Sequence, residues 1–154
     1  MDFDQAFDIL IGHEGGYVNN PNDPGGETKY GISKRSYPNV DIKNLTLAES
    51  KAIYRRDYWD RLQADTLPES VRFDLFDTAV NSGPGTAGRL LQRAVGVAED
   101  GQIGPVTIKA VKAMTPWEIR AKFNACRLHF MTDLSVWPTF GKGWARRIAA
   151  NLNR

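Results

Sequence analysis

The sequence predicts a mainly α domain of the α+β class, with about seven helices and one small β-hairpin near the N-terminus. Three observations predict it. Apolar residues recur at helical spacing through most of the chain, and two Thr-x-x-Glu capping boxes mark helix starts. The one stretch dense in turn formers, Asn19 to Gly26, lies between two short extended segments. At 154 residues and 42% hydrophobic, the chain can fill one core.

Phe3, Ala6, Phe7, Leu10 and Ile11 follow the i, i+3, i+4, i+7, i+8 pattern of an amphipathic helix that should stop at Gly15-Gly16. Tyr17-Val18 and Thr28 to Ile32 read as two short strands joined by the turn-rich loop. Thr46-Leu47-Ala48-Glu49 should start a helix that runs to about Trp59. Pro68-Glu69 opens the next, which carries Val71, Phe73, Leu75, Phe76, Ala79 and Val80 on nearly every side, as a helix sunk in the middle of a domain does. Asn81-Ser82-Gly83-Pro84 ends it. Ala87, Leu90, Leu91, Ala94 and Val95 form another stripe, closed by Gly96.

Gly104-Pro105 launches a further helix with proline at its first position. Thr115-Pro116-Trp117-Glu118 starts another, with Ile119, Phe123, Cys126, Phe130 and Leu134 as the expected buried stripe. A last helix is expected after Gly143. The expected division is a region over residues 1–90 and a helical region over 91–154, packed together as one compact domain.

Composition narrows the function classes. Residues 1–100 hold eleven Lys or Arg against sixteen Asp or Glu, whereas residues 101–154 hold nine against two. The basic C-terminal third suits electrostatic contact with an anionic polymer such as a cell wall, an outer-membrane surface or nucleic acid, with Lys142, Arg146 and Arg147 as the expected contributors, and a solvated basic helix face explains the charge equally well. Cys126 is the single cysteine, so no intramolecular disulfide and no thiolate metal cluster can form. His13-Glu14 lacks the second histidine four positions after the first that a zinc protease needs, because position 17 is Tyr; no metal and no cofactor are expected. No glycine fingerprint for a nucleotide and no G-x-S-x-G elbow occurs. The acidic opening Met1-Asp2-Phe3-Asp4 and the shortness of the apolar runs leave no readable secretory signal or membrane span.

Glu14 is the residue out of place. At about 100° per residue it falls within about 20° of Phe3 and Phe7, on the face that should be buried. Burial and the negative end of the helix dipole both disfavour its ionised form, and a protonated carboxylic acid is what protonation of a glycosidic oxygen requires. Asp23 sits in the opposite environment, a polar loop rich in backbone N–H groups, as the partner of such an acid should. Thr28 follows five positions later with a hydroxyl suited to holding a water. Asp74 and Asp77, on the central helix, need partners if buried and are expected to anchor loops or cap neighbouring elements. Tyr17, Tyr30, Tyr54, Tyr58 and Trp59 are candidates for stacking on a sugar, and Asn81 and Ser82 for facing one, although aromatics at such spacing are more often core.

The ordered set His13-Glu14-Gly15-Gly16-Tyr17-Val18-Asn19, Asp23-Pro24-Gly25-Gly26, Thr28 and Gly31-Ile32 resembles glycoside hydrolase family 108, the N-acetylmuramidases of phages and prophages. The likeness continues through Ile53-Tyr54, Tyr58-Trp59, Leu67-Pro68 and Phe76 to Gly83. From Leu91-Gln92 through Asp100-Gly101, Ile103-Gly104-Pro105 and Thr107 to Phe140-Gly141-Lys142-Gly143-Trp144, the chain is similar to the predicted peptidoglycan-binding segment that accompanies this family.

The resemblance implies a lysozyme-like fold, hydrolysis of the β-1,4 bond between N-acetylmuramic acid and N-acetylglucosamine, and Glu14 as the catalytic glutamate. It also implies peptidoglycan glycan strands, and no nucleic acid, as the partner of a monomer made in the host cytoplasm and released by a holin as an endolysin. Glu14, Asp23 and Thr28 are similar in order to the glutamate, aspartate and threonine of phage lysozymes of T-even type. The first interval matches and the second is one residue shorter, so Tyr30 stands as the alternative for the third role. Inversion of the anomeric centre is expected by the same analogy. Two rival readings remain: a lytic transglycosylase on the same bond, and a non-catalytic wall-binding or secretion-assisting protein.

Overall fold

The computed structural model describes residues 1–12 and 16–154. Glu14, the principal sequence candidate, therefore lies outside the described residues. Among the described residues the chain is mainly helical, with seven α-helices and one small antiparallel sheet, and it divides into two compact units, residues 2–57 and residues 58–154 together with Met1.

The first unit opens with α1 (Phe3–Ile11), whose expected stripe of Phe3, Ala6, Phe7 and Leu10 is buried. Its start carries a capping box not foreseen above: the Asp2 carboxylate accepts from the Gln5 N–H, and the Gln5 amide oxygen accepts from the Asp2 N–H. Three short strands follow, β1 (Val18–Asn19), β2 (Glu27–Lys29) and β3 (Ile32–Ser33), paired antiparallel in that order.

The single strand expected over Thr28 to Ile32 is thus two. Tyr30 and Gly31 both adopt left-handed backbone, at φ 50° and 76°, and two consecutive residues of that kind reverse the chain as a two-residue hairpin turn. A tyrosine in that region is uncommon, and it is held by tertiary contact: the Tyr54 hydroxyl, on α2 (Leu47–Tyr54), donates to the Tyr30 carbonyl at 2.6 Å. The Tyr54 ring also packs 5.7 Å from Phe7, so α1, α2 and the hairpin share one small core. Tyr54→Phe keeps the packing and deletes the hydrogen bond. We expect a loss of about 1 kcal/mol in urea unfolding.

Thr46 and Glu49 form the predicted capping box of α2. After Tyr54 the chain continues helically as a π-helical stretch, Arg55–Trp59, so the predicted end near Trp59 holds while the hydrogen-bond ladder widens over its last turn.

The second unit is built on α3 (Glu69–Ser82), α4 (Pro84–Val95), α5 (Pro105–Lys112), α6 (Pro116–Thr132) and α7 (Trp137–Leu152). Leu75, Ala79, Leu91, Val111, Ile119 and Phe123 lie in its apolar core. As expected, Gly96 closes α4 in left-handed conformation, and Pro105 and Pro116 occupy the starts of α5 and α6.

Three expectations need correction here. The buried stripe of α6 is Ile119, Phe123, Arg127 and Met131 with Asn124, while Cys126 and Phe130 are only half-buried against the core. The apolar pattern misled because Arg127, charged, occupies a core position: its guanidinium is fully buried and donates to Asp77 at 2.9 Å. Asp74 and Asp77 do not hold loops or cap elements. They tie α3 to α6 and α7, through Arg120 and Asn124 for Asp74 and through Arg127, Arg147 and Asn151 for Asp77. Three cations of the basic C-terminal third, Arg120, Arg127 and Arg147, are thereby committed to internal carboxylates, so Arg147 does not serve as a solvated charge for the cell envelope.

The last helix starts at Trp137, six residues before the glycine expected to precede it. Gly141 and Gly143 lie within α7 and play unlike parts. A Cβ at Gly141 would collide with the indole of Trp137, whereas one at Gly143 would meet open space. Gly141→Ala should therefore destabilise by about 1–3 kcal/mol through overpacking. Gly143→Ala should stabilise by about 0.5–1 kcal/mol through helix propensity. Thermal unfolding of the two variants reads the opposite signs directly.

Candidate active site

The loop before β2 is closed by its own polar groups. The Asp23 N–H donates to the Asn20 carbonyl, the Gly26 N–H to the Asp23 carbonyl, and the Gly25 N–H to Asp23 Oδ1 at 2.8 Å. Asp23 thus organises the turn, as its Asp-Pro-Gly-Gly context favours, and remains exposed to solvent. Gly26 takes φ 71°, and a Cβ at Gly25 would stand 3.2 Å from Asp23 Oδ1 and 3.8 Å from Ser33 Cβ. A side chain at Gly25 would therefore crowd the carboxylate that closes the turn.

Thr28 is half-buried in the middle strand, opposite Val18 on β1 and Ser33 on β3. Directly opposed residues of an antiparallel pair project to the same face, so Val18, Thr28 and Ser33 share one side of the sheet. Thr28 thereby borders Ser33, a hydroxyl that sequence reasoning did not single out. Its signal was absent because cross-strand register, not spacing along the chain, places it there.

Tyr30 contributes first through its backbone, as the left-handed residue of the β2–β3 turn whose carbonyl Tyr54 engages. Its half-buried ring lies under Lys29 Nζ, 5.6 Å from the centroid. On β1's approach, the Tyr17 hydroxyl donates to Glu27 at 2.9 Å, and this bond raises the tyrosine's affinity for its proton. Asn81 belongs to the other unit, half-buried in the last turn of α3 just before Gly83 at φ 92°.

The segment from α4 to α5 is pinned at several points. A Cβ at Gly88 would lie 2.8 Å from the Gly101 carbonyl oxygen, so α4 and the following loop touch backbone to backbone. The buried Gln92 amide holds the same loop: its Nε2 reaches Asp100 Oδ1, the Gln102 carbonyl and Thr107 Oγ1, and its Oε1 accepts from the Gly101 N–H. Gln92 and Gln102 together hold the Asp100 carboxyl below the usual carboxylate range. The Asp-Gly and Gly-Pro-x-Thr residues of the sequence are thus the fixed points of one loop.

Comparison with known proteins places these features. Residues 7–83 match the family model "Glycosyl hydrolase 108", and residues 86–149 match the model "Predicted Peptidoglycan domain". Among solved structures the chain is similar to Brucella abortus SagA, at 36% identity and a TM-score of 0.88, over 97% of this chain and 90% of that one. No curated protein matches. The helices and the small N-terminal sheet described above are those of a lysozyme-like fold.

Proposed function

We propose, from the premise that this chain belongs to the glycosyl hydrolase 108 family and is a hydrolase of peptidoglycan, that it is an N-acetylmuramidase cutting the β-1,4 bond between N-acetylmuramic acid and N-acetylglucosamine. The observation that carries this is the family match over residues 7–83, the stretch that includes His13-Glu14-Gly15-Gly16-Tyr17.

In the proposed mechanism Glu14 donates a proton to the leaving oxygen as the glycosidic bond breaks. Asp23 supplies negative charge toward the sugar's developing positive charge and takes the proton of a water near Thr28 as that water attacks the anomeric carbon. The shared face of Thr28 and Ser33 supports placing that water beside hydroxyls. Carboxyl groups about 6.5–9.5 Å apart leave room for such a water and invert the anomeric centre. Tyr30 and Asn81 are assigned to the sugar. The catalytic region is taken as residues 1–90 and the peptidoglycan-binding region as 91–154.

Mass spectrometry of digested, purified peptidoglycan tests the reading. Hydrolysis leaves reducing N-acetylmuramic acid ends with one added water per cut. Products ending in 1,6-anhydromuramic acid would make the enzyme a lytic transglycosylase, and no products at all would make it a binding protein. NMR of the first-formed anomer reads inversion or retention. Phage or prophage origin as an endolysin completes the proposal: lysis on expression in a Gram-negative host should then require a co-expressed holin.

A further inference from the structure

Beside the pinned loop of the second unit lies a cavity of about 320 Å³, lined among others by Val97, Ala98, Asp100, Pro105, Val106 and Thr107. We propose that this cavity binds a neutral amide carrying a methyl group, the chemistry shared by the N-acetyl substituents of the glycan and the alanyl units of the stem peptide. The proposal rests on the peptidoglycan reading and adds to it a place and a recognised group.

The walls offer three kinds of contact. Apolar surface comes from Val97, Ala98, Pro105 and Val106, of which Val106 is 71% exposed despite lying at the start of a helix packed on the core. Donors come from the first turn of α5: Gly104 gives it no side-chain cap, Pro105 has no N–H, and the N–H groups of Val106 and Thr107 have no partner within the helix. Thr107 adds a hydroxyl on a side chain only 3% exposed, whose oxygen accepts from Gln92. The acceptor is the exposed Asp100 carboxylate, whose Oδ1 already takes Gln92 Nε2 and the Gln102 N–H.

That mixture selects the ligand. An anion drawn to the helix start would face Asp100 in the same cavity, which removes free phosphate and carboxylate. A bare cation would face uncapped N–H groups, and the neighbouring Glu99 is already paired with Arg93 at 2.8 Å. An amide has both an oxygen for the N–H groups and an N–H for the carboxylate, and its methyl covers the exposed apolar rim. The site is also rigid before anything binds, since Gly88, Gly101 and Gln92 fix the loop, and little ordering remains to be done on binding.

The test is amide-resolved NMR titration of the full chain with two soluble probes. Triacetylchitotriose carries acetamides and no peptide, and the pentapeptide L-Ala-γ-D-Glu-L-Lys-D-Ala-D-Ala carries alanyl amides and no sugar. At least one should move the Val106 and Thr107 amide resonances saturably, and which one does identifies the source. Val106→Glu replaces the apolar rim with a charged side chain at an exposed position, so the fold should hold while the methyl group loses its cover and Asp100 meets a like charge. It should weaken the titration about tenfold or more. Ala98→Trp, on the exposed loop, gives a second way to fill the space. Resonances unmoved by both probes, or an unchanged affinity in both folded variants, would overturn the proposal. Peptidoglycan hydrolysis that continues while these resonances stay still refutes the cavity alone; shifts that appear in a protein releasing no products support the cavity and refute the muramidase.

Discussion

Asp77→Ala should cost about 3–5 kcal/mol of folding stability, measured by urea unfolding at neutral pH, because it strands a buried cation. The Asp77 carboxylate is fully buried and takes four donors: Arg127 Nη1 and Asn151 Nδ2 on one oxygen, Arg147 Nε and Nη2 on the other. Arg127 is equally buried, and its Nε and Nη2 find no other partner among the described residues. Removing its counter-ion leaves a guanidinium with no water to solvate it. A loss of that size is a large share of the 5–15 kcal/mol that separates a typical native domain from its unfolded state, at about that scale.

Asp74→Asn is the contrasting variant. Asp74 is 2% exposed, but its partner Arg120 reaches solvent and keeps bonds to the Asn151 and Arg154 carbonyls, and one Asp74 oxygen has no donor among the described residues. Its replacement should cost less than about 1 kcal/mol.

The two carboxylates also bend stability with pH in opposite senses. Burial alone would raise the Asp77 carboxyl, and Arg127 and Arg147 outweigh it, holding the group below its ordinary 3.8. Its contribution is therefore full above the unfolded value and lost as pH falls through the lower folded one. Burial pushes Asp74 up against the pull of Asn124 and Arg120, so its ionised form carries a penalty that is relieved as pH falls through its raised value. Asp77→Ala should flatten the loss of stability below about pH 4, and Asp74→Asn should remove the relief that precedes it.

Glu14→Gln should abolish release of reducing ends from peptidoglycan, by about 10²–10⁴-fold, while the unfolding midpoint stays within about 0.5 kcal/mol of the parent. Glutamine keeps the size and a hydrogen-bonding oxygen but has no carboxylic proton to give the leaving group. Sedimentation with purified cell wall should be unchanged, which separates chemistry from binding. Substantial residual hydrolysis would take Glu14 out of the mechanism. Asp23→Ala should cost less activity than Glu14→Gln, since solvent replaces an exposed helper in part, although loss of the Gly25 N–H contact loosens the turn as well.

How much was legible in the sequence depended on how local its cause was. The capping boxes at Thr46 and Thr115, the prolines opening α5 and α6 and the glycine closing α4 act within one helical turn, and each is found where the residues place it. The turn at Asp23 is equally local. Tyr30 was misread as a strand residue because nothing within the chain's immediate neighbourhood marks a tyrosine for left-handed backbone; a hydroxyl from α2 holds it there. Gly143 was taken as the residue before the last helix, whereas it and Gly141 both lie inside α7; nothing local marks Gly141 either, since a ring four residues back needs its missing side chain. Thr28 was visible as a candidate and Ser33 was not, because only strand register sets them side by side.

The sequence by itself determined that the chain is mainly helical, the capped starts of α2 and α6, the end of α4 and the turn at Asp23, all of which follow from periodicity and from hydrogen bonds a few residues long. Only the tertiary structure decided what becomes of the charges. Desolvation and pairing depend on which groups meet across fifty or seventy residues, as Asp77 meets Arg127 and Arg147, and no spacing along the chain encodes that.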